Sequence, residues 1–175
     1  MSSGESLRTD VGRSGVRVQR DGGATNVETG VPVLDHLLAL LAHYARFGLA
    51  LLVEPGSADA EVGAAGRALG EALAEPLRAD AARGYGAASM TASEALAQVV
   101  LETADEPLLV SNVDLSEARI GGLASDLAAR FLRELVQGAG LTLHVRLVNG
   151  SETQHVLEAI FKALGVALAQ ACSTS

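Results

Sequence analysis

A single cysteine, Cys172, lies three residues from the end of the sequence, so no intramolecular disulfide and no cysteine-based zinc site can be built within the chain. Tryptophan is absent and aromatic residues make up only 3%, which argues against a stacking platform for bases or sugars. Basic residues are also few. Thirteen Lys and Arg against twenty-one Asp and Glu leave a net charge of −8, which excludes a general nucleic-acid surface but still allows a small basic pocket for one phosphate. Met1–Arg8 has no apolar stretch of the secretory kind, and no run approaches the roughly 18 uninterrupted apolar residues of a membrane helix, so a cytoplasmic protein with no membrane partner is expected. What is plentiful is apolar character, 49% of the 175 residues with a mean hydropathy of +0.28. That suffices for a sizeable core in one domain or in two small halves that share it.

Residues 1–14 are rich in Ser, Gly and Arg without periodicity and read as a flexible arm. Val16–Arg20 alternates like a half-buried strand, and Asp21-Gly-Gly23 supplies a turn. A helix is predicted from about Pro32, where Leu34, Leu37, Leu38 and Leu41 recur at helical spacing, and Gly48 is expected to end it. Leu49–Val53 has the length and character of a strand. A helix from about Ala60 to Glu75 follows, with Pro76 as its stop. Further on, Leu96–Glu102 and Pro107–Val113 read as strands. Leu123, Leu127, Phe131 and Leu135 mark an amphipathic helix closed by Gly138, and strand 141–148 and helix 154–171 complete the chain.

The second part repeats the order of the first. Gly48-Leu-Ala-Leu-Leu-Val53 resembles Gly140-Leu-Thr-Leu-His-Val145 at a separation of 92 residues, and Ala68-Leu-Gly matches Ala163-Leu-Gly at 95. The natural reading is an α+β fold made by internal duplication, with half-repeats over 15–82 and 83–175 forming one domain.

Candidate chemistry concentrates on the last helix. At 100° per residue, His155, Glu158 and Lys162 form one stripe with Gln154 at its edge, opposite an apolar face of Leu157, Ile160, Phe161, Leu164 and Leu168. A histidine and a glutamate three residues apart on one face suit a shared metal ion. The same pattern also suits a solvated face with a Glu158–Lys162 pair, and spacing alone leaves both open. His144 stands mid-strand on the parity of Thr142 and Arg146, away from Leu141, Leu143 and Val145. His36 and His43 share a margin of the first helix. Arg83-Gly-Tyr-Gly86 and Arg119-Ile-Gly-Gly122 each set an arginine beside flexible backbone, as an anion site or an ordinary loop does.

Glu28-Thr-Gly-Val-Pro-Val-Leu-Asp-His36, Arg119-Ile-Gly121, Gly138-Ala-Gly-Leu-Thr-Leu-His144 and Gln154-His-Val-Leu-Glu-Ala-Ile-Phe-Lys-Ala-Leu164 together resemble the imidazoleglycerol-phosphate dehydratase family, over about residues 14–172. The resemblance implies two βββαβα-type halves, each a sheet backed by two helices. It also implies assembly as a homo-oligomer, a trimer or a 24-mer, and Mn²⁺ sites at subunit interfaces. Its reaction is the dehydration of D-erythro-imidazole-glycerol phosphate to imidazole-acetol phosphate in histidine biosynthesis. Carried over position by position, His36, His144, His155 and Glu158 are the implied metal ligands, and Arg119 and Lys162 the implied phosphate-binding residues.

The departures from the family pattern are as informative. The first-half H-H-x-x-E falls on Asp59-Ala-Glu-Val-Gly63, leaving Asp59 or Glu61 as the acidic groups there. Gln154 replaces the first histidine of the second such motif, and Tyr44 stands where a histidine is usual, with His43 one place earlier. The segment that supplies a glutamate base aligns with Gly12-Arg-Ser14, and Arg13 cannot act as a base near neutral pH. No catalytic residue is assigned on this basis. The expectation is at most one weak Mn²⁺ site and a weak or lost activity. The alternative is a non-catalytic homologue that binds a phosphorylated ligand or co-assembles with an active paralogue. Gly63, Gly66 and Gly70 on one helix cost about 1 kcal/mol each against alanine, which either close packing or drift would explain.

Overall fold

The computed structural model describes residues 15–113, 119–120 and 123–174; the arm over 1–14, with Arg13, lies outside the described residues. Chain order in the first half is β1 (Gly15–Gln19), β2 (Gly22–Glu28), α1 (Pro32–Ala45), β3 (Phe47–Leu52) and α2 (Ala58–Leu77). The second half runs β4 (Tyr85–Ala92), β5 (Ala95–Thr103), β6 (Leu108–Ser111), a two-residue ribbon β7 (Arg119–Ile120) and β8 (Leu123–Ala124), α3 (Ser125–Ala139), β9 (Leu141–Asn149) and α4 (Thr153–Cys172).

In the first sheet β3 lies between an antiparallel β1, with Val18 opposite Leu49, and a parallel β2, with Val27 opposite Leu51. In the second, β9 lies between an antiparallel β5, with Leu101 opposite Leu143, and a parallel β6, with Leu109 opposite Leu143. The order β1-β3-β2 is thus reproduced as β5-β9-β6, and β4 adds an outer strand beside β5. This is the expected α+β duplication, each half a sheet backed by two helices.

The register of the repeat differs from the sequence match. Arg46 after α1 and Gly140 after α3 both take left-handed backbone, with φ of 58° and 71°. They are therefore equivalent, and 94 residues separate them rather than 92. A slip of two residues preserves the inward and outward alternation of a strand, so the apolar pattern could not expose it. Gly48 accordingly does not end α1. It sits inside β3, where a Cβ would meet the Gly22 carbonyl and the Gly23 Cα at 3.0 Å.

Other boundaries move for similar local reasons. Pro76 lies within the last turn of α2 instead of stopping it. The helix ends one residue later, where Arg78 donates to the Ala139 carbonyl at 2.7 Å and the Gly140 carbonyl at 2.8 Å. Gly138 is inside α3, and Leu123 belongs to β8. Strand β2 is mostly exposed and β4 is rich in alanine and small polar residues, so neither carried the strong β-forming pattern that marks β5 and β9.

The helices pair across the halves: α1 packs on α4, and α2 on α3, while α4 also covers β4 and β5. The core runs through Leu34, Leu37, Leu38 and Leu41 of α1, Leu69 and Leu73 of α2, and Phe131 and Phe161, whose rings lie 5.5 Å apart. Glycine permits the close approach. Gly165 of α4 faces the Leu41 carbonyl and the Ala45 nitrogen, and Gly70 of α2 faces the Leu135 carbonyl and the Ala139 nitrogen. A Cβ on Gly66 would stand 2.5 Å from the Phe131 carbonyl oxygen, so close packing accounts for Gly66 and Gly70. Helix α4 is long and apolar enough by composition to cross a membrane, but it carries Glu158 and Lys162, and two thirds of it is buried inside the fold.

Candidate active site

The motif Thr29-Gly-Val-Pro-Val-Leu-Asp-His36 builds the first wall of the site. Thr29 is fully buried, and its backbone N–H and hydroxyl both donate to Asp35 Oδ1, at 2.8 and 2.5 Å. Its hydroxyl oxygen accepts from the Val31 N–H at 3.2 Å. Gly30 turns with φ of 85°, which strains any other residue, and carries the Glu61 carboxylate directly over its Cα. Pro32 then opens α1 at a first-turn position. The result fixes the entry of α1 and with it His36, one residue beyond the Asp35 lock.

His36 Nε2 reaches Glu158 Oε1 of α4 at 3.4 Å; the carboxylate is only 18% exposed. Gln154, one turn earlier, donates from Nε2 to the same Oε1 at 3.1 Å. His155 turns the other way and pairs through Nδ1 with Glu94 Oε1 at 2.5 Å. The hydrogen bond and the charge of Glu94 raise the His155 pKa above its ordinary 6.5. Lys162 donates to the Thr91 carbonyl at 3.2 Å and lies over the Tyr44 ring at 5.3 Å from its centroid. Among the described residues, its contacts are therefore to β4 and α1 and not to Glu158. Tyr44, and not His43, is the α1 side chain at this end, with His43 exposed beside it in an edge-on contact.

His36, Gln154, Glu158, His155 and Lys162 are thus gathered where α4 meets α1 and the β4–β5 turn. His144 is not. It is exposed on β9 between Val100 and Val110, on the face of the second sheet turned away from the helices, in a shallow depression with Arg83, Tyr85, Glu102 and Thr142. Arg83 stacks over the Tyr85 ring at 4.5 Å. The backbone of Arg119 pairs with Ala124 in the β7–β8 ribbon, and its side chain lies outside the described residues. In the first half Asp59 is ion-paired with Arg130 at 3.2 Å, and the Glu61 carboxylate lies over Gly30.

Sequence reasoning missed Glu94, Thr91 and Arg130. Glu94 follows Ser93, whose φ is 51°, in the tight turn that joins β4 to β5, and the signal was hidden because β4 itself was not read as a strand. Arg130 stands on the polar side of an amphipathic helix, where nothing in the spacing singles it out.

Among the described residues, no three His, Cys, Asp or Glu side chains are grouped closely enough to hold a metal ion. His36 and Glu158 offer two convergent donors, and His155 on the same helix would have to leave Glu94 to join them. A Mn²⁺ ion therefore fits this corner only with donors from outside it.

A family model described as imidazoleglycerol-phosphate dehydratase matches residues 29–168. The imidazoleglycerol-phosphate dehydratase of Syntrophobacter fumaroxidans is 42% identical over 154 residues, covering 85% of this chain and 78% of that protein. That of Exiguobacterium is 34% identical over 164 residues, covering 91% and 84%. The crystal structure of the Staphylococcus aureus enzyme superposes with a TM-score of 0.87 at 28% identity, covering 95% of this chain and 97% of that one. The structure from Pyrococcus furiosus gives 0.83 at 28% identity, covering 93% and 89%. The extent of these matches, on a fold with the same duplicated halves, makes this chain a member of the imidazoleglycerol-phosphate dehydratase family.

Proposed function

We propose that the protein serves the dehydratase step of histidine biosynthesis, D-erythro-imidazole-glycerol phosphate to imidazole-acetol phosphate, in a form whose turnover is weak or lost. The observation that carries this is the junction of α1 and α4, where His36, Gln154 and Glu158 converge and Lys162 lies close by on the same helix face. Lys162 binds the substrate phosphate as a point charge with donors to spare, joined by Arg119 in the motif Arg119-Ile-Gly121. Glu158 and Gln154 orient His36 toward the imidazole end of the ligand. Glu94 holds a proton on His155 Nδ1 and leaves Nε2 free to face outward.

His36 and Glu158 would hold a Mn²⁺ ion, which would supply Lewis-acid stabilisation of developing negative charge. One such ion per subunit, weakly held, is the reading the donor set supports. His144, on the far face of the sheet, can contribute only to a second copy of the chain, which favours a homo-oligomeric assembly, a trimer or the larger 24-mer, in the cytoplasm. The second reading, a non-catalytic homologue that binds a phosphorylated imidazole ligand or joins an active paralogue, is favoured by the Asp59–Arg130 pair, which leaves the first-half motif without a ligand.

A paired assay with Mn²⁺ tests both. Turnover is followed as imidazole-acetol phosphate and affinity by calorimetry. Turnover at least about a thousandfold below a family enzyme is expected, since loss of a general base alone costs roughly 10²–10⁴. Binding at micromolar to millimolar strength should remain. Ordinary turnover would overthrow the weakened-enzyme reading, and no binding at all would remove the phosphate role of Lys162 and Arg119.

A further inference from the structure

We propose that Arg130 is a resident cation, its guanidinium filling between α2 and α3 the place that the His36–Glu158 corner holds between α1 and α4, and closing that place to a metal ion. The equivalence of the two places follows from the helix contacts. Gly165 rests on Leu41 and Ala45 where α4 meets α1, and Gly70 rests on Leu135 and Ala139 where α2 meets α3. Residues 95 apart on α2 and α4, and 94 apart on α1 and α3, are therefore counterparts. On this register His36 corresponds to Arg130, Gln154 to Asp59, His155 to Ala60 and Glu158 to Gly63.

The contacts correspond as well as the positions. His36 approaches Glu158 at 3.4 Å, while Arg130 Nε and Nη2 lie 2.8 Å from where a Cβ on Gly63 would stand. The guanidinium thus occupies the room a carboxylate side chain at position 63 would need. Close packing of backbone explains Gly66 and Gly70, but at Gly63 the neighbour is this side chain. The counter-charge comes instead from Asp59, one turn back, whose Oδ2 is 3.2 Å from Arg130 Nη1. Arg130 Nε is a buried donor with no partner among the described residues. A guanidinium cannot shed its proton at any ordinary pH, and a dication brought into the same space would meet that fixed charge with one carboxylate for both. The inference leans on the metal reading of His36 and Glu158 only for what the place between α1 and α4 binds.

Two measurements test it, both counting Mn²⁺ per chain by calorimetry and electron paramagnetic resonance. In the His36→Ala/Glu158→Ala variant Mn²⁺ affinity should fall at least about a hundredfold, since loss of an outer-shell partner alone costs roughly 10–100-fold. A residual site in that variant that disappears on further Asp59→Asn substitution would overturn the proposal. Conversely, Ala60→His/Gly63→Glu/Arg130→His should gain one Mn²⁺ over the parent, and a folded triple variant that gains none would also overturn it. If the parent chain binds no Mn²⁺ but the triple variant binds one, the metal reading of the place between α1 and α4 fails while Arg130 as the closing cation stands.

Discussion

Replacing Gly66 with alanine sets two effects of opposite sign against each other. In the middle of an exposed helix the change would stabilise by about 1 kcal/mol, because glycine has the greater backbone freedom to lose. Here the new Cβ would lie 2.5 Å from the Phe131 carbonyl oxygen, 3.1 Å from the Glu134 Cβ and 3.3 Å from the Leu135 nitrogen. The first is about 0.9 Å short of ordinary contact and involves backbone, which no rotamer change relieves. Helices α2 and α3 must then separate, and overpacking of this kind costs about 3 kcal/mol at the upper end of its usual range. The net expectation is a loss of about 2 kcal/mol, or a fall in Tm of about 4–8 °C for a chain of this size. Gly56→Ala is the control, since its nearest neighbour would be Ala60 Cβ at 3.8 Å, and it should change stability by less than about 0.5 kcal/mol. Urea and thermal unfolding at one fixed protomer concentration provide the assay, because any assembly would make Tm depend on concentration. A Gly66→Ala protein that is more stable than the parent would refute the packing account and favour drift.

Three further expectations follow from separate features. Asp35→Ala leaves the backbone N–H of buried Thr29 without its acceptor, while the hydroxyl keeps the Val31 carbonyl at 3.2 Å, and should cost about 1–3 kcal/mol in unfolding free energy. Because folding raises the His155 pKa, the Glu94 pair adds stability that is fully present below the unfolded value of about 6.5 and is lost as pH rises through the folded one. The stability difference between the parent and Glu94→Gln should therefore be greatest below about pH 6.5 and fade as pH rises through the folded value, with the His155 pKa itself lowered in an NMR titration of the variant. If the assembly is a trimer built on apolar faces, its mass in sedimentation should be the same with and without EDTA, whereas a metal-tied cage would dissociate.

The residues that announced themselves in sequence were those with strong local patterns. The leucine stripe of α1, the alternation of β5 and β9 and the apolar face of α4 were all legible because burial imposes a period on them. The polar stripe of α4 was legible too, but its partners were not. Lys162 is four residues from Glu158 in sequence, yet its hydrogen bond goes to Thr91, 71 residues away. The same holds for His155 and Glu94, 61 residues apart. Such pairs depend on which strand lies beneath which helix, and no local period encodes that. Gly48 and Gly138, expected as helix ends, lie inside β3 and α3 and admit neighbouring backbone, and of close packing and drift as explanations of Gly63 it is packing, against the Arg130 guanidinium, that the structure supports.

The pairing of α1 with α4 and α2 with α3 has a consequence for how such a molecule can change. A dimer of two identical half-chains carries every substitution twice, once on each side of its axis, so an arginine that closes one place would close both. Joined in tandem, the halves keep the mutual embrace of their helices but vary one at a time. One helix pair, α2 with α3, can then carry an internal charge in Arg130, while the other, α1 with α4, keeps His36, His155 and Glu158. The join between α2 and β4 is thus what turns a symmetric scaffold into two places with different chemistry.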